Sequence, residues 1–185
     1  MFRRVARMKG LGFLLWHTRH EFYHVLMGLV WAWFLREQWG MFNGRWVWLS
    51  LFGSLLPDAD HLVYFFTYGR KDFYTTQVRL FLRSHQWRNL WVYIENGHKY
   101  NTNLSSHNYY VVALLLISSV VSLFVDWQAG IILFGAMLIH YFFDIVDDLF
   151  ILGRVNPNWR RWGRGRASLP HSVHKKFAYK HSQPK

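Results

Sequence analysis

Between Trp46 and Phe66 the chain carries a nearly continuous apolar run, and inside it Pro57-Asp58-Ala59-Asp60-His61 sets two carboxylates and an imidazole. No other feature limits the fold so sharply. An ionisable side chain at such a position is costly unless it is paired, so other segments must bring partners to Asp58, Asp60 and His61. Those partners are either a metal cation or opposite charges from neighbouring helices.

The rest of the chain supplies helices for that purpose. Hydrophobic residues make up 52% of the 185, and they fall in long blocks with Trp, Tyr and Phe gathered at the ends. Such aromatic belts mark membrane segments. The pattern predicts one all-α, polytopic transmembrane helical bundle of about four spans, at about 20–39, 46–66, 109–125 and 129–152. Residues 72–95 mix Val78, Leu80, Phe81, Leu82 and Trp87 with Arg79, Arg83 and Arg88, which predicts an amphipathic interfacial segment. A helix packed on the bundle is the alternative. The transmembrane domain is thus 1–152, and 153–185 form a basic cytoplasmic tail. The basic start followed by Leu11 to Trp16 reads as an interfacial lead-in, because His17, Arg19, His20 and Glu21 interrupt the apolar block too early for a cleaved signal.

A net charge of +12 suits either nucleic acid or a membrane surface. Its distribution decides. Arg3, Arg4, Arg7, Lys9 and Arg19 precede the first span; Arg70, Lys71, Arg79, Arg83, Arg88 and Lys99 lie between the second and third; Arg154, Arg160, Arg161, Arg164, Arg166, Lys175, Lys176, Lys180 and Lys185 follow the fourth. The opposite side holds Arg45, with Arg36 inside the first span. By the positive-inside rule this predicts an integral protein of the cytoplasmic (inner) membrane with both termini in the cytoplasm. The expected partners are membrane lipids and other membrane subunits rather than nucleic acid.

That topology places His24, Asp58, His61, His107, His140 and Asp144 near the cytoplasmic leaflet, with His24, Asp58 and Asp144 each roughly 20 Å from the outer loops at about 1.5 Å rise per residue. Asp58 and His61 are separated by three positions and His140 and Asp144 by four, so each pair shares a helix face. Bundle metal sites are assembled in this way. The sequence has no cysteine, which excludes thiolate ligands and leaves nitrogen and oxygen donors for zinc, manganese or iron. An open coordination position would make water a nucleophile near neutral pH.

His24-Val25-Leu26-Met27-Gly28, Gly53-Ser54-Leu55-Leu56-Pro57-Asp58-Ala59-Asp60-His61, Ser106-His107 and His140-Tyr141-Phe142-Phe143-Asp144 resemble the successive motifs of the membrane-bound metal-dependent hydrolases of the LexA-regulated inner-membrane type. That family is distantly similar to zinc-dependent phospholipase C and P1 nuclease. The resemblance covers about residues 20–150. It implies His24, Asp58, Asp60, His61, His107, His140 and Asp144 as metal-site residues, and hydrolysis of a phosphoester such as a phospholipid with Asp60 as the catalytic base. One departure stands out. Where the family carries His-Arg-Gly-x-Thr-His before the third span, this chain has Asn101-Thr102-Asn103-Leu104-Ser105-Ser106-His107, without the arginine that would fork onto a phosphate. A non-catalytic membrane subunit that keeps a structural metal or polar cluster is therefore the alternative, with His98 the nearest replacement for the missing histidine.

Three further expectations concern neighbouring residues. His20-Glu21-Phe22-Tyr23-His24 is a literal His-Glu-x-x-His, the zinc motif of metalloproteases; outside that reading His20 faces headgroups. Ser105 and Ser106 are the predicted caps of the third span. Asp147 and Asp148 are predicted to pair with Arg154, Arg160 or Arg161 at the membrane boundary.

Overall fold

The computed structural model describes residues 18–98 and 104–160. The lead-in 1–17, the side chain of His98, the stretch 99–103 and the tail from 161 onward lie outside the described residues. The described residues are helical and contain no strand. In order they form α1 (Arg19–Trp39), α2 (Gly44–Leu55), a 3-10 turn (Leu56–Asp58), α3 (Ala59–Phe66), α4 (Phe73–Arg83), α5 (Trp87–His98), α6 (Tyr109–Phe124), α7 (Gln128–Leu152) and a second 3-10 turn (Pro157–Arg160).

Local chemistry explains the helix ends. α1 and α7 stop at Gly40 and Gly153, whose φ angles of 62° and 67° are left-handed and suit glycine. Asn43 caps α2 by accepting the Arg45 N–H at 3.0 Å. Asn108, and neither Ser105 nor Ser106, caps α6 by accepting the N–H groups of Tyr110 and Val111 at 3.0 Å each. The run expected as one helix from 46 to 66 is divided at Pro57, which has no N–H to continue the ladder. There α2 gives way to the 3-10 turn that carries Asp58.

α7 is the hub, packing on α1, α2 and α6. Small residues let the backbones approach. A Cβ on Gly28 would meet Ser54 Oγ at 2.5 Å, and one on Gly53 would meet the Leu133 carbonyl oxygen at 2.9 Å. Ser50 Oγ donates to the Gly28 carbonyl at 2.7 Å and Trp31 Nε1 to that of Ile132 at 3.1 Å, tying α1 to α2 and α7. Such small-residue contacts and side-chain hydrogen bonds are how helices associate in lipid. α7 is the one helix among the described residues that is long and apolar enough to cross a membrane, and α6 is a shorter apolar helix of 16 residues. The outer faces carry large apolar side chains, including Phe22 and Trp33 on α1, Ile117 and Phe124 on α6, and Phe142 and Phe150 on α7.

The segment expected as one interfacial helix is a hairpin of α4 and α5, broken at Ser84–Gln86 where His85 takes a left-handed φ of 53°. It packs on α3 through a cluster of Tyr64, Tyr74, Val78, Phe81, Leu90, Tyr93 and Leu104. The chain after α7 also folds back. Trp159 is buried with Leu115 and Tyr141, so the first part of the predicted tail belongs to the bundle. Asp148 is buried as well and accepts hydrogen bonds from Trp159 Nε1 at 2.9 Å and the Asn156 N–H at 3.2 Å.

Candidate metal centre

The Pro57 break, the middle of α7, the start of α1 and the loop before α6 meet at one point. α7 contributes His140 and Asp144 one turn apart, α1 contributes His24, the 3-10 turn and α3 contribute Asp58 and His61, and the loop contributes His107. His24 and His140 are wholly buried, with their rings stacked at a centroid distance of 3.8 Å. The carboxylate of Asp144 is the centre. Its Oδ1 lies 3.5 Å from His24 Nε2, and its Oδ2 lies 3.2 Å from His140 Nε2 and 3.5 Å from His107 Nε2. Asp58 Oδ1 stands 3.7 Å from His61 Nδ1 and 3.8 Å from His140 Nε2.

These residues form four overlapping sets, each of three donors lying within 4.8 Å of one another: His20, His24 and Asp144; His24, Asp58 and His140; Asp58, His61 and His107; His107, His140 and Asp144. Such buried groups can hold a metal ion. The fit is visible in their hydrogen bonding. His140 Nδ1 lies 2.6 Å from the Ser54 carbonyl oxygen, so Nδ1 carries a proton, and in a neutral ring the Nε2 lone pair points at Asp58 and Asp144. His140 Nε2, His107 Nε2, Asp58 Oδ2 and Asp144 Oδ1 are buried without a hydrogen bond among the described residues. Converging lone pairs and carboxylate oxygens need a cation or protons between them. A histidine held through Nδ1–H by a backbone carbonyl is the usual outer support of a metal ligand.

His20 also joins the cluster, although the metal-site residues implied by the family resemblance leave it out. Its Nε2 lies 3.0 Å from His24 Nε2 and 3.4 Å from Asp144 Oδ1, and its Nδ1 lies 3.8 Å from Asp147 Oδ2. The i, i+4 spacing of His20 and His24 was the available signal: the His-Glu-x-x-His pair converges on the same carboxylate as the other motifs.

Asp60 departs from both roles expected of it. It belongs to none of the donor sets. Its Oδ1 accepts from Tyr68 Oη at 2.9 Å and Ser105 Oγ at 3.0 Å, and its Oδ2 from the Ser106 N–H and Ser106 Oγ at 2.8 Å each. A carboxylate so engaged is a poor ligand and a poor base. It stands 3.7 Å from His107 Nδ1, where it orients that ring, and Ser105 and Ser106 serve it instead of capping α6. Burial acts against charge on the His107 ring, but the adjacent carboxylates of Asp144 and Asp60 outweigh it, and in the metal-free protein the imidazolium persists to about 9.

A cavity of about 340 Å³ is lined by His20, Asp58, His61, His107 and Asp144 together with apolar residues that include Leu62, Phe65, Trp91 and Ile94. Glu21 also lines it. Comparison with family models, curated proteins and solved structures finds no match. Fold and site alone therefore define the class: an all-helical bundle enclosing a histidine–carboxylate cluster that can hold a metal ion.

Proposed function

We propose that the protein is a membrane-embedded, metal-dependent hydrolase acting on the phosphoester of a lipid. The observation that carries this reading is His140 Nε2 facing the carboxylates of Asp144 and Asp58 at 3.2 and 3.8 Å, with Nδ1 tied to the Ser54 carbonyl. Seven residues, His20, His24, Asp58, His61, His107, His140 and Asp144, offer more donors than one tetrahedral ion needs, so together they could hold more than one ion. An imidazole-rich set with oxygen donors suits zinc first and manganese second.

The exposed apolar faces of α1, α6 and α7 and the one-sided distribution of Lys and Arg support four crossings, made by α1, α2 with α3, α6 and α7, with both termini in the cytoplasm. The α4–α5 hairpin then lies at the cytoplasmic headgroups beside the cavity. Lipids are accordingly the first partners.

Divalent ions, when bound, polarise a phosphoryl oxygen and acidify water. The chain's own residues do the rest. Hydrolysis forms a bond from phosphorus to the oxygen of water and breaks the bond to the ester oxygen. Glu21, which lines the cavity, takes the proton from water and returns it to the departing ester oxygen. Asp60, through its contact with His107, holds the loop in register. Asp144 and Asp58 hold the histidines together.

A second reading, a non-catalytic membrane subunit, is favoured by Asn101 to Ser106 standing where the similar hydrolases carry His-Arg-Gly-x-Thr. One experiment separates the two. Protein purified in lipid nanodiscs is assayed for metal by plasma mass spectrometry and for release of phosphate or headgroup from phosphatidate and phosphatidylglycerol. Stoichiometric metal with turnover that Asp144→Ala abolishes supports the hydrolase. Metal without turnover supports the subunit with a structural metal, and metal-free protein that keeps its fold overturns the hydrolase and leaves the subunit with a polar cluster.

A further inference from the structure

We infer that the cavity binds one hydrocarbon chain of the substrate along an apolar wall made by α3 and α5, with the reactive phosphoryl group at Asp58 and His61. The inference rests on the phosphoester reading and goes beyond it by naming where the tail lies. A single cavity is lined both by the donors and by Leu62, Phe65, Trp91 and Ile94. His61 and Phe65 are one turn apart on α3, which sets their Cβ atoms about 5–6 Å from each other. A ligand whose polar group reaches His61 therefore meets Phe65 within a few bonds.

The wall also has a way in. Phe65 and Ile94 pack on the cluster that joins the hairpin to α3, whereas Leu62 is 61% and Trp91 43% exposed. The apolar lining thus runs from a packed inner end to an open edge between α3 and α5. A small water-soluble ester would leave that lining wet, and a chain with its own hydrocarbon would cover it. Burying apolar area favours binding by about fourfold per methylene. A wall beside a metal cluster therefore selects an amphiphile over its headgroup.

The test uses full-length protein in nanodiscs loaded with Mn²⁺ and three non-hydrolysable probes: methyl-, butyl- and octylphosphonate. Paramagnetic relaxation of the ³¹P nucleus reports the phosphonate seated next to the metal, independently of turnover. Affinity should climb about fourfold per methylene from methyl to butyl and rise further to octyl. Ile94→Trp, which fills the wall, should flatten the series while methylphosphonate affinity stays within about threefold. Leu62→Met, which keeps an apolar side chain on this exposed face but changes its shape, should alter octylphosphonate affinity while methylphosphonate affinity stays within about threefold. A flat series in the wild type, or a slope untouched by both variants, overturns the inference while the phosphoester site stands. Failure of all three probes to bind metal-loaded protein overturns the site reading and this inference with it.

Discussion

His140 Nδ1 lies 2.6 Å from the carbonyl oxygen of Ser54, so the end of α2 sets the tautomer of a buried histidine on α7. The carbonyl is available because it is one of the last four of α2, which a helix leaves without an internal partner. Pro57 makes α2 end there. One helix break therefore does two things: it frees an acceptor for His140 and turns Asp58 toward the same ring, 3.8 Å from Nε2.

Asp144 contacts His20, His24, His107 and His140. Asp144→Ala should consequently empty the centre, whereas His61→Ala, which removes a member of only one donor set, should retain part of the metal. Plasma mass spectrometry of both variants beside the wild type checks this.

Asp60→Ala should act through the scaffold. It leaves the Ser106 N–H and its hydroxyl neighbours without their acceptor, at about 1–3 kcal/mol for a buried donor. Loss of an outer-shell partner of His107 should weaken metal affinity about 10–100-fold. Chelator titration measures the affinity, and activity at saturating metal should recover most of its wild-type value; a loss that saturating metal cannot restore would return Asp60 to the role of base.

Metal binding should release a proton from His107. In the metal-free protein its charge persists to about 9, above the ordinary 6.5, while a ligand imidazole must be neutral. Affinity should therefore rise with pH through neutrality and level off near pH 9. The same shift stabilises the metal-free fold fully below the unfolded value of 6.5, and that contribution is lost as pH rises through about 9. Calorimetry in buffers of different ionisation enthalpy counts the proton, and melting of chelator-treated protein follows the stability.

Glu21→Gln should leave metal content at the wild-type level and lower kcat about 10²–10⁴-fold, the usual share of a general acid–base group, with KM little changed. A variant that loses metal would make Glu21 a ligand instead. Steady-state kinetics paired with metal analysis on one preparation decides between the two.

Gly53→Val should destabilise the bundle by about 1–3 kcal/mol, because even a Cβ there would lie 2.9 Å from the Leu133 carbonyl and 3.0 Å from Ala136 Cβ. Separating α2 from α7 also draws Ser54 off His140, so metal affinity should fall in parallel. Gly44→Ala, which meets nothing within 4 Å, is the control and should stay within about 0.5 kcal/mol. Denaturation followed by circular dichroism in detergent reports both.

His24, Asp58, His61, His107, His140 and Asp144 were legible from sequence because a charge or imidazole in an apolar helix is costly enough to demand a partner, and spacing of three or four positions puts such groups on one face. All-helical architecture was legible for the same reason, from apolar blocks and breakers. The role of Asp60 was not, since its Ser106 partner is 46 positions away in sequence and one carboxylate in an apolar run looks like another until its acceptor sites are filled. The partners of His20 and Asp148 were not legible either, because each residue lies near a helix end; only the return of α7 and the segment after it brought Asp144 to one and Trp159 to the other. Local sequence decides which groups cannot stay alone, and three-dimensional packing decides which of them meet.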